Sequence, residues 1–270
     1  MVNLDASQPH TARRKPLALA NWKNAMTVGE SLAFVRDFQA MAGNLLEAVD
    51  VVVCPPFTSL YPVARKLGKS QLQVGAQNIA AAAEMGRTGE ISAALVADAG
   101  CRWVMLGHWE VRRNLGDDDK TVNRKLHLAL EAGLKPILMV GPGRDETMRL
   151  EAFINAQMGR VLAGCGAREV ADMAFIFEPE AAIGEAAPIK PGQVAEGCQL
   201  IRDYLRRKWG NYVVERMRII YGGSVSHGHA GDLLTSPEVD GLGASRKGRD
   251  PVEFLKIVKQ IVRAKGETSP

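Results

Sequence analysis

Short, unbroken apolar runs alternate with longer runs whose apolar residues recur at helical spacing, and this rhythm constrains the fold more than any other feature of the chain. LALAN (17–21), VDVVVC (49–54), QLQVGAQ (71–77), RWVML (102–106), KPILMV (135–140), MAFIF and MRIIYGG (217–223) read as strands. Runs without polar alternation are those of strands buried on both faces, as in a parallel sheet covered by helices. Between them, SLAFVRDFQAM (31–41), SLYPVARKL (59–67), SAALVADA (92–99), TVNRKLHLALEAG (121–133), DETMRLEAFINAQMGRVL and GQVAEGCQLIRDYLRRKW have helical patterns, with Pro62 expected in a first turn. A helix near 229–236, a short weak strand at DGLGA and a closing helix at PVEFLKIVKQIVRA complete the chain. Roughly eight strand–helix units in about 250 residues predict a single-domain α/β fold, a closed (β/α)8 barrel over residues 16–270. A doubly wound sheet rarely uses so many units, and no GxGxxG follows the first strand.

Residues 1–15 carry no such rhythm and no apolar core, so they read as a disordered N-terminal extension rather than a secretory leader. No apolar run approaches the ~20 residues needed to span a bilayer. Cys54, Cys101, Cys165 and Cys198 show no CxxC spacing and no paired histidines, which argues against zinc and for a reducing, cytoplasmic setting. The net charge of +4 is small, and no focused Lys/Arg stripe with aromatics is present, so no nucleic-acid partner is expected. A pI of 8.9 is compatible with a small anionic substrate.

In a barrel of this kind the active site lies at the C-terminal ends of the strands. The first strand runs into Asn21-Trp22-Lys23, the fourth into Gly107-His108-Trp109-Glu110, the sixth into Glu178, the seventh into Tyr221-Gly222-Gly223-Ser224, and the eighth into Ser245-Arg246. Taken singly, each has an ordinary explanation: a solvated lysine, a capping histidine, a carboxylate at a loop start, a tight turn. Their shared position is what points to chemistry. An amide, a cation, an imidazole and a carboxylate converge on one rim, facing a Gly/Ser-rich cradle suited to phosphate.

NWK (21–23), VVVCPPFTSLYPV (51–63), VGAQN (74–78), RTGEIS (87–92), LGHWE (106–110), EP with AIG (178–184), YGGSV (221–225) and DGL (240–242) occur in an order and spacing that resemble triosephosphate isomerase. The resemblance implies a TIM barrel, usually a homodimer, that uses no metal and no organic cofactor. It implies a small phosphorylated sugar as substrate, with a proton shuttled between ketose and aldose through a cis-enediol(ate). By that resemblance Glu178 is the base, His108 the electrophile at the carbonyl, Lys23 the positive charge beside the developing enediolate, and Asn21 a residue that helps hold the site. Backbone N–H groups near Gly184, Ser224, Ser245 and Arg246 would take the phosphate, Glu110 would pair with Lys23, and Thr88 would reach the partner subunit's site.

The chain departs from the family pattern around these groups. The family's G-H-S-E-R-R reads Gly107-His108-Trp109-Glu110-Val111-Arg112, so a serine able to hold the base in a swung-out pose is replaced by a tryptophan whose bulk is expected to crowd the site. The lid P-V-W-A-I-G-T-G reads Pro179-Glu180-Ala181-Ala182-Ile183-Gly184-Glu185-Ala186, and C-I-G-E reads Met139-Val140-Gly141-Pro142, so the lid tryptophan and the glutamate it meets are lost together. The double glycine of the last phosphate loop falls on Ser245-Arg246, where a side chain can add a contact to phosphate. Three readings stay open: an isomerase of dihydroxyacetone phosphate and D-glyceraldehyde 3-phosphate; a paralogue acting on a tetrulose phosphate such as erythrulose phosphate, some of which carry a Glu at the place of Glu185; and a non-catalytic barrel that binds phosphorylated ligands.

Overall fold

Eight parallel strands, β1 (Leu17–Asn21), β2 (Asp50–Cys54), β3 (Leu72–Ala76), β4 (Trp103–Leu106), β5 (Lys135–Val140), β6 (Ala174–Phe177), β7 (Arg218–Tyr221) and β8 (Gly241–Ala244), close in chain order into a barrel. This computed structural model describes residues 14–84, 86–184 and 189–265. The barrel closes where β1 pairs with β8, Leu17 opposite Gly241 and Ala20 opposite Ala244. A Cβ on Gly241 would fall 1.8 Å from the Leu17 carbonyl oxygen, so the strand that looks weakest in sequence is glycine-rich because its neighbour comes this close.

The uninterrupted apolar runs have a two-layer explanation. Side chains alternate along a strand, so one parity faces the barrel interior and the other faces the helices. Leu17, Leu19, Val52, Trp103, Met105, Ile137, Met139, Ala174, Ile176 and Ile220 form the inner cluster. Ala18, Ala20, Val51, Val53, Val104, Leu106, Phe175, Phe177 and Ile219 belong to the outer one, packed under the helices.

Helix boundaries differ from the sequence reading in instructive ways. Phe57–Leu67 is one helix, so Pro62 lies in its interior rather than in its first turn. The helix begins earlier than its apolar pattern because Phe57, 39% exposed, carries no burial signal. The long helix expected from residue 145 onward begins at Leu150, and the helix near 229–236 spans His227–Leu233. A helix at Trp109–Leu115 has no sequence-level counterpart, because none of its residues is fully buried.

At the N-terminal end of the barrel Arg14 pairs with Asp240 at 2.8 Å and Lys15 with Asp50 at 3.0 Å. These two residues, expected in the tail, are instead tied to the barrel floor; the rest of that expectation concerns residues outside the described ones. Among the described residues, no helix is long and apolar enough to cross a membrane.

Candidate active site

Strand parity carries two of the site residues to the barrel mouth. Leu17 and Leu19 point inward, and Asn21 continues that parity; Ala174 and Ile176 do the same for Glu178. Both polar side chains are 7% exposed, buried at the rim of an apolar interior. The chain then turns sharply after β1. Lys23 adopts a left-handed φ of 53°, its amide donates to Asn21 Oδ1 at 3.0 Å, and Gln77 Nε2 donates to the Lys23 carbonyl at 2.8 Å and to the Cys54 carbonyl at 2.9 Å. A left-handed non-glycine residue is strained, and here the surrounding hydrogen bonds hold it. The Lys23 ammonium is thereby delivered to Glu110, with which it forms a close ion pair.

Gly107 breaks the parity of β4 with φ 79°, and His108 then caps the helix Trp109–Leu115. The Glu110 amide donates to His108 Nδ1 at 3.0 Å. A ring nitrogen that accepts a backbone N–H carries no proton, so His108 is the neutral tautomer with its proton on Nε2. Nε2 lies 3.5 Å from Glu178 Oε2, and His108 is only 4% exposed.

Glu178 is held through its backbone, the amide donating to the Val140 carbonyl at 2.9 Å. Its buried Oε2 has no hydrogen-bond partner. Trp109 does not crowd it, against the sequence expectation: the indole N–H donates to the Gly141 carbonyl at 3.2 Å, and the ring rests against Gly143. The tryptophan turns outward because the β5 loop offers both an acceptor and a glycine with no side chain in the way. Past Pro179, Glu180 is buried and forms a two-pronged pair with Arg113, whose Nη2 donates to Oε2 at 2.8 Å. Neither residue of this pair stood out in sequence, since 67 positions separate them.

The mouth opens into a cavity of about 280 Å³ whose wall includes Asn21, Lys23, Glu178, Gly184, Ser224, Ser245 and Arg246. His108 and Glu110 are not in the wall itself but touch residues that are. Thr88 is exposed and lies away from this cavity. Lys247 and Arg249, which sequence reasoning did not single out, also line it; the cluster R-K-G-R was the available signal. Lys247 pairs with Glu253 at 3.3 Å, and hydrogen bonds from Lys256 and Lys247 hold the Glu253 carboxyl down at about 2. The two sides of the cavity are joined by Trp22, whose indole donates to the Gly248 carbonyl at 2.8 Å. Burial pushes the Cys54 thiol well up and the Cys101 thiol up to about 12, so neither is a ready nucleophile. Among the described residues no group of three or more His, Cys, Asp or Glu side chains is placed to hold a metal ion.

The arrangement is suited to removing a proton from carbon beside a carbonyl: a dry carboxylate, a neutral imidazole N–H and a cation meet at one end of a cavity whose wall also includes Ser224, Ser245, Arg246, Lys247 and Arg249. Comparison with known proteins agrees in kind. The family model for triosephosphate isomerase matches residues 16–261. The chain is 37% identical over 248 residues to the triosephosphate isomerase of Chloroflexus aurantiacus, covering 91% of this chain and 98% of that one. It is 37% identical over 251 residues to that of Carboxydothermus hydrogenoformans, with the same shares covered. The crystal structure of triosephosphate isomerase from Bartonella henselae superposes with a TM-score of 0.81 at 26% identity, covering 92% of this chain and 99% of that chain.

Proposed function

The chain belongs to the triosephosphate isomerase family, whose members are intramolecular oxidoreductases, and on that premise we propose that it interconverts dihydroxyacetone phosphate and D-glyceraldehyde 3-phosphate. The observation that carries this reading is the meeting of Glu178 Oε2 and His108 Nε2 at 3.5 Å beside a cavity that Lys23 also lines. The Glu178 carboxylate takes the carbon-bound proton next to the carbonyl. The C–H electron pair becomes the carbon–carbon double bond of an enediolate, and the carbonyl pair moves to oxygen. His108 donates its Nε2–H to that oxygen, and Lys23 supplies positive charge beside it. Glu178, now protonated, returns the proton to the adjacent carbon, while the hydroxyl on the first carbon gives its proton to His108 Nε2 and becomes the new carbonyl, which restores both side chains. A neutral histidine at a helix N-terminus is an established feature of this family, and the N–H accepted at Nδ1 supports the same tautomer here. Preorganised donors of this kind stabilise charge as it develops.

N–H groups near Gly184, Ser224, Ser245 and Arg246 hold the phosphate in this reading, with the Arg246 side chain as an added contact. A second reading, a tetrulose phosphate as substrate, is favoured by one observation: an exposed Arg246 lines the cavity where the family pattern has glycine. Measuring kcat/KM for triose and tetrulose phosphates side by side decides between them. A triose preference is expected; a tetrulose preference would overturn the first reading, and no turnover of either, with inorganic phosphate still bound, would favour a non-catalytic barrel.

The protein is further proposed to be a homodimer in which Thr88 reaches the partner's site. Support comes from the exposure of Thr88 and from apolar side chains left uncovered beside its neighbours Arg87 and Gly89, Phe57 at 39% and Leu115 at 69% exposed. Sedimentation is expected to give a dimer, and a stable monomer would remove Thr88 from the site.

A further inference from the structure

We propose that the Arg113–Glu180 ion pair is a positioning clamp that presets the base Glu178 in its inward pose, facing His108. The inference rests on the isomerase reading above and extends it to residues outside the cavity.

Glu178 itself lacks what usually fixes a carboxylate. Its Oε2 is buried and accepts no hydrogen bond. Trp109, at the position from which the family's serine can hold the base, spends its N–H on the Gly141 carbonyl. With Oε2 left unbonded, the backbone on either side of Glu178 is where the side chain's pose can be set. Upstream, the Glu178 amide is tied to Val140 at 2.9 Å. Downstream, Pro179 has φ −60°, the torsion its ring restrains, and leads directly to Glu180.

Glu180 begins the strap that follows the base, the short turn Glu180–Ala182, and each of its polar groups is tied. Its carboxylate takes the two-pronged Arg113 pair and the Arg144 amide at 2.8 Å. Its amide donates to the Pro142 carbonyl at 3.0 Å, and its carbonyl accepts from Ile183 at 3.0 Å. The Arg113 hydrogen bond holds the Glu180 carboxyl below the usual carboxylate range, outweighing the opposing effect of burial, so the pair is charged at neutral pH. Planar, two-pronged Arg–carboxylate pairs fix orientation as well as distance.

Arg113 sits on the helix Trp109–Leu115, which His108 caps. The same helix sends Glu110 to Lys23 and Trp109 to the β5 loop. One rigid element therefore carries the electrophile and, through Arg113, grips the strap two residues past the base. The clamp sets base against electrophile without touching substrate. It also gives a physical reason for the altered lid: Glu180 stands where the family pattern has valine, and a buried carboxylate there requires a cation.

The test compares wild type with Glu180→Gln, Arg113→Ala, Arg113→Lys and the double variant Arg113→Ala/Glu180→Gln, measuring kcat and KM for glyceraldehyde 3-phosphate. A base displaced by a fraction of an ångström predicts a kcat lowered roughly 10- to 100-fold in Glu180→Gln and Arg113→Ala, with KM little changed. The double variant is expected to be no worse than the poorer single one, and Arg113→Lys to recover part of the loss. Glu180→Gln at wild-type kcat, or a double variant whose loss is the product of the two single losses, would overturn the clamp. If Arg113→Ala does not fold by circular dichroism, Glu180→Gln, which keeps size and shape, decides alone. A wild type inactive on both triose and tetrulose phosphates would end the isomerase reading; an active wild type with unaffected variants would end only the clamp.

Discussion

Glu178→Gln is expected to lower kcat about 10²- to 10⁴-fold with KM changed by no more than roughly threefold. The amide keeps the shape and still fits beside His108, but it cannot accept a proton from carbon. In the proposed reading, substrate binding rests on other groups that line the cavity, Ser224, Ser245 and Arg246 among them, so the loss falls on the chemical step. Glu178→Asp keeps the charge and withdraws it by one methylene, about 1 Å, which alone is expected to cost on the order of 10²-fold in kcat. Among the described residues Oε2 accepts no hydrogen bond that would pull a shorter carboxylate back toward the substrate. Steady-state rates in both directions check this, and an Asp variant as fast as wild type would remove Glu178 from the role of base.

Lys23→Met is expected to cost at least about 10³-fold in kcat/KM, more than the loss of one ordinary oxyanion donor. Two effects add. The cation beside the enediolate is gone, and Glu110, its ion-pair partner, is left as a bare carboxylate in the same place. The local field then opposes the charge that develops. Glu110 is 44% exposed, so water screens part of the penalty. Adding Glu110→Gln to Lys23→Met is therefore expected to recover about tenfold. If Lys23→Met stays within tenfold of wild type, the ammonium does not face the reacting oxygen.

The barrel was legible because burial on both strand faces leaves an apolar run that nothing else in the sequence imitates. Asn21 and Glu178 were legible for the same reason: each is the first polar residue after such a run, and strand parity turns it into the mouth. Contacts across the chain were not. The pairing of Arg113 with Glu180 depends on how a short surface helix sits beside the lid, and that helix has no buried face to mark it. Trp109 was identifiable as a departure, but its outward turn depends on an acceptor at Gly141, 32 positions away. Pro62 was misplaced because its helix starts on a half-exposed Phe57 rather than on an apolar periodicity. Arg14 and Lys15 looked like tail because their partners are distant in sequence, Asp240 just before β8 and Asp50 at the start of β2.

Turnover of dihydroxyacetone phosphate in D2O, followed by ¹H NMR for wild type and Glu178→Gln, tests the central claim most directly. A carboxylate that carries the proton between carbons exchanges it with solvent during the lifetime of the enediolate, so wild type is expected to give product with deuterium on the carbon that receives the proton, and Glu178→Gln to give neither product nor exchange. Turnover or deuterium incorporation that persists at the wild-type rate in Glu178→Gln would contradict proton transfer by Glu178.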